Sequence, residues 1–200
     1  MNTKVVLFIV ALSIVLGTIW VAQPFKQPQN NHAKIISDEK PKGGDFTLKG
    51  INGNIKLSDF KGKLVLLYFG YTFCPDICPT NLGNISVAYH QLTQKQKDGL
   101  QIIFVSVDPE RDTPKRLQQY VNYFDANMIG LTSDPATIAK VAKKYGVVYA
   151  KVDDPNNGTN YAVDHSAFTY VVDPNGKLQK QLPHATSPDV FVKTVQEYEK

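Results

Sequence analysis

Residues 5–22 are apolar except for Ser13, Gly17 and Thr18. As a helix they would extend roughly 27 Å, close to the hydrocarbon thickness of a bilayer, so the pattern predicts a single transmembrane anchor. A cleaved signal peptide is the competing reading. Its apolar core is usually shorter and small residues precede the cut, whereas this chain offers Trp20 and Val21. Lys4 and the terminal amine favour a cytoplasmic position for residues 1–4, with Lys26 and Lys34 pulling the other way. Residues 23–44 hold Pro24, Pro28 and Pro41 among Gln and Asn with little apolar periodicity, the composition of a flexible linker. One domain is expected over residues 45–200.

Within that domain, residues 46–48 and 55–57 flank Asn52-Gly53, a strong hairpin signal. Residues 63–70, reading KLVLLYFG, are the continuous apolar run of a central strand covered on both faces. Leu82, Ile85, Val87, Ala88 and Leu92 then recur at helical spacing, and residues 102–107 give a second buried strand, so a parallel βαβ unit is expected. Thr113-Pro114 and Asp134-Pro135 each set a capping side chain before a proline and open helices toward Phe124 and Tyr145. A second hairpin is expected around Asn175-Gly176, between residues 168–172 and 178–182. Ser187-Pro188 starts a last amphipathic helix with Val190, Phe191, Val195 and Tyr198 on one stripe. This order predicts an α/β fold, a thioredoxin-like mixed sheet flanked by helices, beneath the N-terminal transmembrane helix. In such sheets the loop after a central strand, leading into a helix, is where reactive groups and ligands lie.

Charge adds little: 22 basic against 18 acidic residues give a net +4, scattered without the clusters of a nucleic-acid arm, so no nucleic-acid partner is expected. The two cysteines change the picture. They are the only ones in the chain and lie four positions apart in Cys74-Pro75-Asp76-Ile77-Cys78-Pro79, in the loop after the central strand. A structural disulfide closing so small a loop would contribute only about 2 kcal/mol. Both thiols should lie near the positive end of a helix dipole, which lowers their pKa and favours thiolate. Thiolate is the nucleophile of disulfide exchange and also the soft ligand that selects Cu(I) or zinc. A redox pair and a metal pair are both open on this reading. Redox pairs of the thioredoxin type have two residues between the cysteines, and this chain has three, which gives the sulfurs more freedom to hold an ion.

A metal held by two thiolates needs a further donor. Of four histidines, His32 falls in the linker, His90 far along the first helix and His184 after the second hairpin. His165 precedes the strand whose start faces the cysteines in thioredoxin-like proteins, although a histidine so placed is by itself more often a packed or surface residue. Three ordered motifs go further: the cysteine motif, Val105-Ser106-Val107-Asp108-Pro109-Glu110-Arg111-Asp112-Thr113-Pro114, and Val163-Asp164-His165-Ser166. Together, over residues 41–200, the chain resembles the Sco/SenC family of thioredoxin-like copper chaperones implicated in building the dinuclear copper centre of cytochrome c oxidase.

The resemblance implies one copper ion per chain, Cu(I) or Cu(II), held by Cys74, Cys78 and His165. It also implies a bacterial inner-membrane protein, single-pass, with its domain in the periplasm. Its expected partners are the copper-bearing oxidase subunit, other copper chaperones and, through the anchor, the membrane. Asp164 and Asp108 are expected to orient or tune the ligands from behind, with capping of the Pro-rich turn an equal reading for Asp108. Tyr71 and Phe73 are expected to wall the site, and Asp76 to solvate its loop. The expected role is that of a metallochaperone rather than an enzyme. The main alternative is a thiol-disulfide reductase acting on the oxidase cysteines, which would need Cys74 and Cys78 but not His165. A peroxiredoxin would want threonine three positions before its reactive cysteine, where this chain has Tyr71.

Overall fold

The run at residues 63–70 forms the strand on which the rest is built. It is β3 (Leu64–Gly70), and every residue in it is buried. Its alternate side chains feed two cores: Leu64, Leu66 and Tyr68 on one face, Val65, Leu67 and Phe69 on the other. A polar residue on either face would lie in a core, so the sequence shows no alternation there. The computed structural model describes residues 40–153 and 161–199. The anchor expected at residues 5–22 and most of the linker lie outside the described residues, among which no helix is long and apolar enough to cross a membrane.

The remaining elements are β1 (Thr47–Gly50), β2 (Gly53–Lys56), α1 (Ile77–Gln91), α2 (Gln94–Asp98), β4 (Leu100–Ser106), α3 (Pro114–Asn122), β5 (Met128–Leu131), α4 (Pro135–Tyr145), β6 (Tyr149–Asp153), β7 (Tyr161–His165), β8 (Thr169–Val172), β9 (Leu178–Leu182) and α5 (Pro188–Gln196). The main sheet has the order β5-β4-β3-β8-β9. β4 lies parallel to β3 and β5 parallel to β4, whereas β8 and β9 are antiparallel. Residues from α1, α3 and α5 fill the core on one face. The other core draws on α4, the β1–β2 hairpin and Val163 of β7. This is the thioredoxin-like α/β arrangement expected from the sequence.

Local chemistry sets the helix starts. Thr113 and Asp134 accept the backbone N–H groups of Arg116 and Thr137 at 3.2 and 2.9 Å, each with proline in the first turn. Ser187 precedes α5 in the same pattern but makes no side-chain cap. The first hairpin turns over Ile51 and Asn52, one residue earlier than Asn52-Gly53 suggested, because Gly53, at φ 118°, pairs with Gly50. Besides the short α2, two features have no counterpart in the sequence reading. β5 is a parallel edge strand, and β6 with β7 forms a two-stranded antiparallel ribbon outside the main sheet. The ribbon is what carries His165.

Candidate metal centre

β3 delivers the cysteine loop at its C-terminal end, and α1 begins at Ile77, so Cys78 lies in the first helical turn. The Cys74 sulfur accepts the Cys78 backbone N–H at 3.4 Å, as a capping side chain would. Asp76, at the N-cap position, makes no side-chain cap of its own. Its carboxylate instead accepts the Thr80 hydroxyl at 3.2 Å. Gly70 closes the cradle from below. A Cβ at that position would lie 2.5 Å from the Cys78 sulfur and 2.9 Å from Phe104, so only glycine leaves room for the thiol.

His165 ends β7 and faces the sulfurs, with Nε2 3.3 Å from Cys78 Sγ. Nδ1 lies 3.3 Å from the Ser166 carbonyl; a proton there leaves the Nε2 lone pair toward the cysteines. The imidazole stands edge-on to Tyr71 and Tyr68, at 5.9 and 6.2 Å between centroids. The ligand atoms of Cys74, Cys78 and His165 all fall within 4.8 Å of one another. Bonds of about 2.3 Å to sulfur and 2.0 Å to nitrogen separate ligand atoms by roughly 3.5–4 Å around one ion. The three donors therefore close on an ion with shifts of under about 1 Å.

The two sulfurs are electrostatically unequal. The hydrogen bond from the Cys78 thiol, helped by the backbone N–H groups of Cys78 and Asp76, holds Cys74 down to about 3 against the effect of burial. Cys78 is pushed far up, first by its hydrogen bond to Cys74, then by burial and by the Cys74 charge. The coupling favours the charge on Cys74 and the proton on Cys78. Burial, followed by the neighbouring Cys78, also holds the Tyr68 phenol above its ordinary range.

Behind the loop lies a polar network that the sequence reading saw only in part. Asp112, fully buried, accepts the Thr72 N–H at 3.0 Å, the Thr72 hydroxyl at 2.5 Å and the Ser106 hydroxyl at 2.7 Å. Asp108 reaches neither sulfur nor imidazole. It accepts the Tyr161 hydroxyl at 2.7 Å and pairs with the Arg111 guanidinium, so its action on the site is indirect. Asp164 is exposed, and strand alternation turns it to the opposite face of the ribbon from His165. Tyr71 is buried against the imidazole, whereas Phe73 is half-exposed between the Arg111 and Arg116 guanidinium groups at 4.6 and 4.0 Å. His90 and His184 stay on the surface, away from the cysteines. Gly70, Arg111, Asp112 and Tyr161 were not singled out from the sequence, although Arg111 and Asp112 lie within a segment that carried the resemblance.

A family model described as SCO1/SenC matches residues 35–200. The chain belongs to the SCO1/SenC family. Among SCO relatives, the SCO2-like protein RC0895 of Rickettsia conorii is 37% identical over 191 residues, 94% of this chain and 93% of that protein. Bradyrhizobium japonicum ScoI, solved with copper bound, is 39% identical with a TM-score of 0.70, covering 78% of this chain and 98% of the other. BsSco, described as a member of the Sco family of cytochrome c oxidase assembly proteins and as holding a disulfide switch, is 28% identical with a TM-score of 0.61; the match covers 80% of this chain and 94% of BsSco. The Cys-Cys-His group of this SCO1/SenC protein thus combines soft sulfur with imidazole, a donor set suited to copper.

Proposed function

We propose that this chain binds one copper ion through Cys74, Cys78 and His165 and delivers it to the dinuclear copper centre of cytochrome c oxidase during assembly. The observation that carries the reading is the approach of His165 to the cysteine pair from a separate ribbon, with Nε2 3.3 Å from Cys78 Sγ. A dithiol enzyme has no need of that third donor, whereas a three-donor set holds a soft ion and leaves an open side for exchange with an acceptor's ligands. The copper-bound ScoI and the oxidase-assembly description of BsSco support the same reading. Copper binding displaces the Cys78 proton, since the metal takes thiolate. In this account residues 5–22 anchor the chain in the bacterial inner membrane, the domain faces the periplasm, and the linker lets it reach the oxidase subunit and a copper-donating chaperone.

A second reading is supported by the inequality of the sulfurs. A low-pKa Cys74 beside a protonated Cys78 is the pattern of an attacking thiolate and a resolving thiol, as a reductase of the oxidase cysteines would require. Copper titration of the full-length chain in detergent against a Cu(I) chelator separates the two. Metallochaperone action predicts one ion per chain and a fall in affinity of roughly 10-fold or more for His165→Ala, with a larger fall for Cys78→Ser. Full affinity in His165→Ala would reject the three-donor site.

A further inference from the structure

The ribbon of β6 and β7 pairs Tyr149 with His165 at one end and Asp153 with Tyr161 at the other. It shares no strand pairing with the main sheet, so His165 depends on other contacts for its place against the sulfurs. At the His165 end, the Ser166 backbone N–H donates to the Val148 carbonyl at 2.9 Å, which ties the ribbon to itself. Val163 packs into the core, and the imidazole rests against Tyr71 and Tyr68 without a polar anchor to the main sheet among the described residues. At the Tyr161 end, the ribbon is fastened to the loop after β4. The Tyr161 hydroxyl donates to Asp108 Oδ1 at 2.7 Å, and Arg111 Nη1 donates to the Tyr161 carbonyl at 2.9 Å. The Arg111 guanidinium also stacks over the Tyr161 ring at 3.7 Å while touching the Phe73 ring of the cysteine loop at 4.6 Å. Asp108 is buried and pairs with Arg111, so the anchor is itself fixed.

We infer that Tyr161, clamped by Asp108 and Arg111, is a positioning residue that sets where His165 meets the cysteine sulfurs. Tyr161 and His165 lie four residues apart on one face of one strand, so a shift at one end of β7 is carried to the other. Arg111 joins the two halves of the site because it contacts both the ribbon and the cysteine loop. Loss of the Tyr161 hydroxyl alone frees the end of β7 and changes no residue of the cysteine loop. The inference rests on the reading of Cys74, Cys78 and His165 as a copper site.

The test is a double-mutant cycle on the full-length chain, reading Cu(I) affinity by chelator competition and Cu(II) nitrogen hyperfine structure by electron paramagnetic resonance. Tyr161→Phe removes one hydroxyl and is expected to lower affinity about tenfold and to weaken the nitrogen hyperfine signal. In a His165→Ala background it should change affinity by less than twofold, because there is no imidazole left to position. Equal losses in both backgrounds, or no loss in either, would overturn the inference. Tyr161→Leu, which removes both the hydroxyl and the ring beneath Arg111 and changes no residue of the cysteine loop, should follow the same pattern and replaces Tyr161→Phe should that variant fail to fold. Full affinity in His165→Ala alone would instead overturn the three-donor reading, so the two failures are distinguishable.

Discussion

Gly70→Ala is the smallest change that should disable the site. The new Cβ would lie 2.5 Å from Cys78 Sγ, 2.9 Å from Phe104 Cε2 and 3.3 Å from Tyr68 Cε1. Ordinary contact begins at 3.4 Å, so the sulfur must retreat by about 0.9 Å (3.4 less 2.5) or the strand must move. Both neighbouring rings are fully buried, which leaves little slack. Overpacking of this kind costs about 1–3 kcal/mol, which urea unfolding of the metal-free protein measures as a lower midpoint. A displacement near 1 Å is also several times the tolerance of roughly 0.2 Å on a metal–ligand bond. Copper affinity should therefore fall by about 10- to 100-fold in chelator competition, in line with other losses of ligand placement. Gly83→Ala is the control. Its Cβ would meet nothing within 4 Å, and its place inside α1 makes a gain of up to about 1 kcal/mol the expectation. Wild-type stability and affinity in Gly70→Ala would refute the claim that the cradle is shaped around the thiol.

Other outcomes follow from the same geometry. Absorbance near 240 nm should show one thiolate per metal-free, reduced chain at neutral pH, persisting until pH falls through about 3 and absent in Cys74→Ser. Because the folded pKa of Cys74 lies below that of a free thiol, its ionisation contributes stability in full above the ordinary thiol range. That contribution is lost as pH falls toward about 3, so denaturation midpoints of reduced wild type and Cys74→Ser should converge in acid. Asp112→Ala strands the Thr72 N–H and the Ser106 hydroxyl without their acceptor. The buried Ser106 hydroxyl left unpaired costs about 1–3 kcal/mol and the half-buried Thr72 N–H less, so a loss of about 2–3 kcal/mol is expected by urea titration.

The sequence carried some parts of this molecule plainly because a single local cause sufficed for them. β3 and β4 show as continuous apolar runs since both faces are covered. The starts of α3 and α4 show because Thr113-Pro114 and Asp134-Pro135 satisfy the first turn without help from elsewhere. The β6–β7 ribbon is different. Its residues are mostly exposed or half-exposed and only Val163 is fully buried, too little to impose alternation on either strand. β5 is only four residues long, and Asp125 and Asn127 just before it adopt positive φ, a cue that composition does not carry. At the first hairpin the glycine was legible but its register was not, because Gly53 took the positive φ inside the pairing. The cysteine pair was legible from position and spacing. His165 needed the family resemblance, since its approach to Cys78 spans 87 residues of chain. The Asp108–Arg111–Tyr161 clamp is likewise a long-range product, and nothing local distinguishes its tyrosine from any other.

The most direct measurement of the central claim is X-ray absorption at the copper edge of the Cu(I)-loaded chain. A site built from Cys74, Cys78 and His165 predicts two sulfur scatterers and one imidazole nitrogen per copper, with the imidazole contribution lost in His165→Ala. Two sulfurs alone, with a spectrum unchanged by that substitution, would contradict it.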